Sequence, residues 1–138
     1  MPFLEWSDEL SVKFRLMDTD HKRLMDLINK LYDANGQEGS HAAVESAIVQ
    51  LIEATKLHFV HEETLMRKTA YPQFIPHKIE HDRLVKQLED FQKRYAAGQV
   101  GLSPESVLFL RTWLFDHIKS VDVPLGAWLS KHANLVQN

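Results

Sequence analysis

Cysteine is absent from all 138 residues, which excludes disulfide frameworks, thiolate zinc sites, iron–sulfur clusters and cysteine nucleophiles together. Any metal bound here must be held by nitrogen and oxygen. No long basic run occurs, and 16 Lys plus Arg against 19 Asp plus Glu leave a formal charge of -3, so nucleic acid is not an expected partner. No apolar stretch approaches the length of a membrane span, and the amino terminus, Met1 to Trp6, carries Glu5 where a secretory leader would carry lysine. Membrane insertion is not expected, and a cytoplasmic location is. What is abundant is apolar: 44% hydrophobic against 25% charged residues is the balance of a folded chain with a real core, and residues 1–138 are read as one domain. Eight histidines also stand out.

Turn chemistry divides the chain into four long periodic segments, with breaks at Asn35-Gly36, Tyr71-Pro72 and Gly98-Gln99-Val100-Gly101. The first segment spans about Asp18 to Ala34 and ends at an Asn-Gly suited to a left-handed cap, and the second starts from Ser40 as N-cap. The third begins between Gln73 and Pro76 and closes at Gly98; the fourth opens with Ser103-Pro104-Glu105 and stops just before Pro124. Short links force sequential neighbours to run in opposite directions. The expected fold is therefore all-α, an antiparallel up-down-up-down four-helix bundle with an N-terminal arm and a short C-terminal tail, Val123 to Val136, packed on the bundle.

Bundle packing demands an inward residue alternately every three and four positions. Followed at that spacing, the seams read Phe14, Met17, His21, Leu24, Ile28, Leu31; then Val44, Ile48, Leu51, Thr55, His58, Glu62, Leu65; then Phe74, His77, His81, Leu84, Leu88, Phe91, Tyr95; then Val107, Leu110, Leu114, His117, Val121. Every seam contains histidine. Residues four apart differ by about 40° in direction, so His58 and Glu62 share a face, as do His77 and His81. Antiparallel threading then brings His21, early in its helix, to the same end as late His58 and Glu62, early His77 and His81, and late His117. Burying so many polar groups without partners would cost several kcal/mol each, whereas a metal satisfies them.

Asp122 follows His117 by five residues, about 140° away on a regular helix. Pro124 disfavours the α region just before it, so the helix is expected to unwind or bulge around Val121 to Val123 and let Asp122 swing inward. Five imidazoles and two carboxylates are too many donors for one tetrahedral or octahedral ion; two ions sharing the carboxylates fit better.

These motifs resemble the hemerythrin family, in particular the single-domain bacteriohemerythrins: a histidine on the first helix, His21, then His58-Phe59-Val60-His61-Glu62, His77-Lys78-Ile79-Glu80-His81 and His117-Ile118-Lys119-Ser120-Val121-Asp122. The resemblance covers the chain from Trp6 to about His132 and implies a non-heme di-iron centre bridged by Glu62, Asp122 and an oxo or hydroxo group. It further implies that His77, His81 and His117 complete one iron, while His21 and His58 leave the other open to dioxygen, bound reversibly as hydroperoxide. The implied role is oxygen carriage, storage or delivery rather than enzymatic turnover, with an oxygen-consuming enzyme as possible recipient and a monomer as the expected state. Five neutral imidazoles with only two carboxylates supply less negative charge than sites associated with high-valent iron, which favours a carrier over an oxygenase. The oxygen pocket is expected to be walled by Phe59, Trp113, Leu114 and Ile118, and Leu114→Ala is expected to admit water and speed autoxidation.

Other readings are weaker. His61-Glu62 begins a zinc-protease motif, but Leu65 stands where its second histidine belongs. His81-Asp82 has the adjacent pair of metal phosphohydrolases, but Asp82 lies about 100° off the seam. A ferritin-like oxidase needs Glu-x-x-His on two helices, and the only such spacing, Glu38 to His41, falls in an expected loop. The competitor from another class is an oxygen, nitric oxide or redox sensor, or a peroxidase or iron store, on the same centre; a sensor's output domain is not expected in a chain this short. His41, His61 and His132 are expected in solvent, Glu63 and Asp82 are expected to point into water, and Met17, Met25 and Met66 to pack.

Overall fold

Helix starts and stops follow local chemistry closely. The computed structural model describes residues 3–35, 41–99, 101 and 103–136, with the side chains at 35, 104, 107 and 136 outside that description. Every regular element among the described residues is helical: a 3-10 turn (Asp8–Leu10), α1 (Arg15–Asn35), α2 (His41–Lys68), α3 (Phe74–Ala96), α4 (Pro104–His117), a π-helical turn (Ile118–Asp122), α5 (Val123–Lys131) and a last short turn, α6 (Ala133–Val136). Ser103 caps α4 by accepting from the Ser106 amide at 3.2 Å, with Pro104 in the first turn. Gly98, at φ +75°, ends α3: the Gln99 amide donates to the Arg94 carbonyl at 2.9 Å. The same closure at α2 uses Ala70, at φ 54°, one residue before the expected Tyr71-Pro72 break, with the Tyr71 amide on the Met66 carbonyl at 2.9 Å. The expected Gly36 and Ser40 caps and the Val107 side chain fall outside the described residues.

Side-chain contacts set the helix directions. Glu62 of α2 meets His77 and His81 of α3, Lys56 pairs with Glu89, and His41 stacks on Tyr95; as α2 advances α3 recedes, so the two are antiparallel. The Trp113 indole N–H donates to the Leu84 carbonyl at 3.3 Å, while His117 lies against His81 at 5.3 Å, which runs α4 against α3. α1 packs on α2 and reaches α4, closing the four-helix bundle. The seams are buried as the spacing requires: Leu24, Ile28, Leu31, Ile48, Leu51, Leu88, Leu110 and Leu114 fill one part of the interior, and the histidines occupy the other. Phe14, Phe74 and Val121 are only partly buried at the ends of their seams. Among the described residues no helix is long and apolar enough to cross a membrane.

Two expectations need correction. The fourth helix does not stop before Pro124: the chain bulges over Ile118–Asp122 and resumes as α5 with Pro124 in its first turn. A proline ring inside a regular helix clashes with the carbonyl four residues back and lacks the N–H that would pair with it. In the bulge the Val123 amide instead reaches the Ile118 carbonyl five residues back, the wider turn in which that proline is accommodated. His41, expected in a loop, is the first residue of α2, where its imidazole lies 3.5 Å from Glu45 one turn on.

The N-terminal arm is tied to α1 and meets α5, where the Ser130 hydroxyl donates to the Lys13 carbonyl at 2.7 Å. Asn29 receives the Leu4 amide at 2.7 Å and donates to the Leu4 carbonyl at 2.9 Å, and Asp18 accepts from the Ser11 hydroxyl and the Val12 amide at 2.6 and 2.9 Å. Leu4, Leu10 and Val12 are thereby buried. Leu125 and Leu129 of α5 are also buried, and the Trp128 indole donates to Thr69 at 2.9 Å, so the expected packing of the tail on the bundle is observed.

Candidate metal centre

Each helix delivers its part of the site from one inward face. His21 comes from the second turn of α1, His58 and Glu62 from late α2, His77 and His81 from the first turns of α3, His117 from the end of α4 and Asp122 from the π-turn. All seven are buried, Glu62 and Asp122 at 0% exposure. The bulge brings in Asp122: a π-turn has fewer degrees per residue than an α-turn, so a five-residue separation returns to the same face. His117 Nε2 is accordingly 3.1 Å from Asp122 Oδ1.

The carboxylate oxygens divide between two histidine groups. Glu62 Oε2 lies 2.6 Å from His58 Nε2 and 3.6 Å from His21 Nε2, whereas Oε1 lies 3.0 Å from His77 Nε2 and 2.9 Å from His81 Nε2. Asp122 repeats the division, Oδ2 at 2.8 Å from His21 Nε2 and Oδ1 at 3.3 and 3.1 Å from the Nε2 atoms of His77 and His117. Two overlapping clusters result, His77-His81-His117 and His21-His58, each sharing Glu62 and Asp122, with ligand atoms in each within 4.8 Å of one another. His58 Nε2, His117 Nε2, Glu62 Oε2 and Asp122 Oδ1 are close to opposite charge yet lack hydrogen-bond alignment. Buried donors and acceptors that approach without aligning are aimed at a common point, and the all-nitrogen-and-oxygen donor set suits a first-row transition metal. The residues fit a metal centre.

A profile of the hemerythrin HHE cation binding domain matches residues 12–129. The chain belongs to the hemerythrin family. It is 35% identical over 131 residues to a bacteriohemerythrin of Methylococcus capsulatus, covering 94% of this chain and 99% of that protein. A bacteriohemerythrin of Pseudomonas aeruginosa is 35% identical over 122 residues, 88% of this chain and 78% of its own. A crystal structure of wild-type hemerythrin superposes with a TM-score of 0.85 at 34% identity, covering 93% of this chain and 98% of the other.

Two residues of this hemerythrin centre escape the seam reading. Asp20, next to His21 in sequence, accepts the His58 Nδ1–H at 2.8 Å and the His61 Nδ1–H at 3.0 Å. Glu63, expected in water, is 8% exposed and accepts the His81 Nδ1–H at 3.0 Å. Helical angle alone places Glu63 off the seam, but α3 packs close enough for His81 to reach it, and a ligand histidine commonly gives its second nitrogen to a carboxylate. Adjacency to a ligand is no signal for Glu63, because Asp82 adjoins His81 in the same way and lies in solvent. Asp82 is exposed beside Lys78 as expected. His61 is half-exposed and hydrogen-bonded to Asp20, and His132 is partly buried, its ring stacked on Trp128 at 3.9 Å. Met17, Met25 and Met66 are buried core residues.

The expected pocket residues Phe59, Trp113, Leu114 and Ile118 are all buried. Phe59 stacks flat on His81, centroids 3.7 Å apart and planes 3° from parallel, which puts its ring on the three-histidine side. A cleft of about 320 Å³ between α1 and α2 is lined by other residues, among them Leu16, Met17, Asp20, His61, Glu62 and Leu65.

Electrostatics set an opposed pH response. Burial alone would lower the His58 and His77 pKa values, but the surrounding carboxylates outweigh it and raise them to about 10 and about 9. Burial works to raise Glu62 and Asp122, yet the facing imidazoles hold both below the usual carboxylate range. In the metal-free chain the raised imidazoles stabilise the fold fully below their ordinary value of 6.5, and that stabilisation is lost as pH rises through about 9 to 10. The depressed carboxylates contribute above 4.5 and lose their contribution on acidification. Melting temperature of the metal-free protein is therefore expected to fall between about pH 6 and about pH 9.5, while metal affinity, which needs neutral imidazoles, rises over that interval. Parallel trends in the two measurements would contradict this charge arrangement.

Proposed function

We propose that this hemerythrin binds dioxygen reversibly at a pair of non-heme irons and acts as a carrier or store rather than an enzyme. The observation that carries this reading is the division of both carboxylates, one oxygen of each toward the His21-His58 group and the other toward the His77-His81-His117 group. That division supports two ions, and the unequal histidine count supports one of them having the freer coordination sphere, the one held by His21 and His58. Two irons bound there would supply the electrons that dioxygen takes up and returns. The chain's own part is to hold the donors rigid and dry: Ile118 and Leu114, at 0% and 2% exposure, and Trp113 keep bulk water from the pole. The cleft between α1 and α2, with Met17 and Leu65 beside Glu62, supports access for a small apolar ligand on the two-histidine side. On this reading dioxygen is the ligand, an oxygen-consuming enzyme its recipient, and the protein works as a monomer in the cytoplasm.

Repeated oxygen and argon cycles on anaerobically reconstituted protein test it: a visible charge-transfer band that appears and disappears over several cycles is expected. Steady oxygen consumption with a reductant would assign an oxidase or peroxidase instead. The same assay reads Leu114→Ala, which deletes a buried side chain one turn before His117, costs about 2–5 kcal/mol, and is expected to shorten the life of the oxygenated form. An unchanged lifetime would remove Leu114 from the wall of the pocket.

A further inference from the structure

The five imidazoles are not supported alike. Among the described residues the buried Nδ1 atoms of His21, His77 and His117 have no hydrogen-bond partner, whereas His58 donates to Asp20 at 2.8 Å and His81 to Glu63 at 3.0 Å. Each histidine group thus contains one imidazole backed by a carboxylate, and the two carboxylates differ in charge environment. Glu63 has the Lys78 ammonium 3.8 Å from its other oxygen, which offsets part of its charge. Among the described residues no lysine or arginine pairs with Asp20; its partners there are His58 and His61, both on Oδ2. Asp20 reaches from α1 to two histidines of α2, its side chain 24% exposed, and it lines the cleft beside Glu62.

We propose that Asp20 is a positioning residue for the two-histidine metal, holding His58 with its proton on Nδ1 and its Nε2 lone pair toward the ion, with His61 pinning the carboxylate from the surface. The proposal rests on the two-metal reading. An imidazole that donates to an unneutralised carboxylate gains imidazolate character and becomes a stronger electron donor. The nearby negative charge favours the higher oxidation state of the ion, and more so in a buried, low-dielectric setting. Asp20 therefore biases the two-histidine side toward giving up an electron, an effect that Glu63, with Lys78 alongside, exerts less on the other side.

Asp20→Asn keeps an acceptor oxygen and removes the charge. Zinc titration against a competing chelator is expected to show one of two affinities weakened about 10–100-fold, with the other unchanged and the far-UV spectrum of wild type retained. Iron-loaded Asp20→Asn is expected to have a more positive reduction potential, a readout that a merely structural role would not move. Asp20→Glu should restore part of the shift, and Glu63→Gln should weaken the other zinc affinity. In zinc-loaded wild type, the His58 Nδ1 proton is expected as a downfield, slowly exchanging resonance, a measurement that does not depend on any variant folding. Wild-type zinc affinities and potential in Asp20→Asn, or rapid exchange of that proton, would overturn the assignment. Uptake of a single zinc by the wild type would instead defeat the two-metal reading, and Asp20 would still stand or fall on the affinity of the ion held by His58.

Discussion

Glu62→Ala is expected to strip metal from both histidine groups at once. Glu62 presents one oxygen 2.6 Å from His58 Nε2 and the other 2.9 Å from His81 Nε2, and among the described residues only Glu62 and Asp122 serve both clusters. Its loss removes a donor from each group and a negative charge from between them. On the proposed two-metal reading, two dications about 4 Å apart would repel by roughly 16 kcal/mol even at an effective dielectric of about 20, and the shared carboxylates would offset that repulsion. His21→Ala is the contrast, because His21 belongs to the two-histidine group alone. Metal per chain after anaerobic reconstitution and removal of excess is expected to fall close to zero in Glu62→Ala and to about half of wild type in His21→Ala. A Glu62→Ala protein that keeps one tightly held ion would show that the groups bind independently and that Glu62 is not shared.

Gly126→Ala is expected to be the most damaging conservative change outside the centre. A Cβ at Gly126 would lie 2.0 Å from the Val12 carbonyl oxygen and 2.8 Å from Val12 Cβ, and the first of these is backbone, which cannot rotate away. The obstacle lies where the arm crosses α5: one turn further on, the Ser130 hydroxyl donates to the Lys13 carbonyl at 2.7 Å, and the Val12 amide is held by Asp18. Relief requires the arm to leave α5, exposing Val12 and Leu10, or α5 to shift and pull on the π-turn that carries Asp122. Either route is expected to cost about 2–4 kcal/mol, read as a lowered denaturation midpoint. If α5 yields rather than the arm, metal affinity falls in parallel. A midpoint equal to wild type would mean that the arm does not sit against α5 in solution.

The metal-facing residues were legible because helical periodicity converts sequence spacing into angle. His58 with Glu62 and His77 with His81 are four apart, and polar residues interrupting an apolar seam at one end of every helix have no packing explanation. Asp122 was legible only by combining its wrong angle with Pro124; the bulge was anticipated, but it lies earlier, over Ile118–Asp122, and the helix continues beyond the proline. A proline disturbs local hydrogen bonding without dictating whether the chain ends there or absorbs the disturbance in a wider turn. What absorbs it here is tertiary: Leu125 and Leu129 pack into the bundle, and Trp128 is tied to Thr69.

Asp20 and Glu63 show the limit from the other direction. Each neighbours a ligand in sequence and sits off its seam, where charge ordinarily meets water, and nothing in a single helix distinguishes them from Asp82, which does. Sequence alone determined the helices, their inward faces and the pole at which imidazoles and carboxylates gather, because each of these follows from a period of 3.6 residues and from short connections. Tertiary structure alone decided which oxygen of Glu62 and Asp122 faces which histidines, which imidazoles are backed by a carboxylate, and that the arm locks onto Gly126. Those outcomes depend on distances of a few ångströms between separate helices, and such distances are set by how the side chains of the whole bundle interlock rather than by any local run of residues.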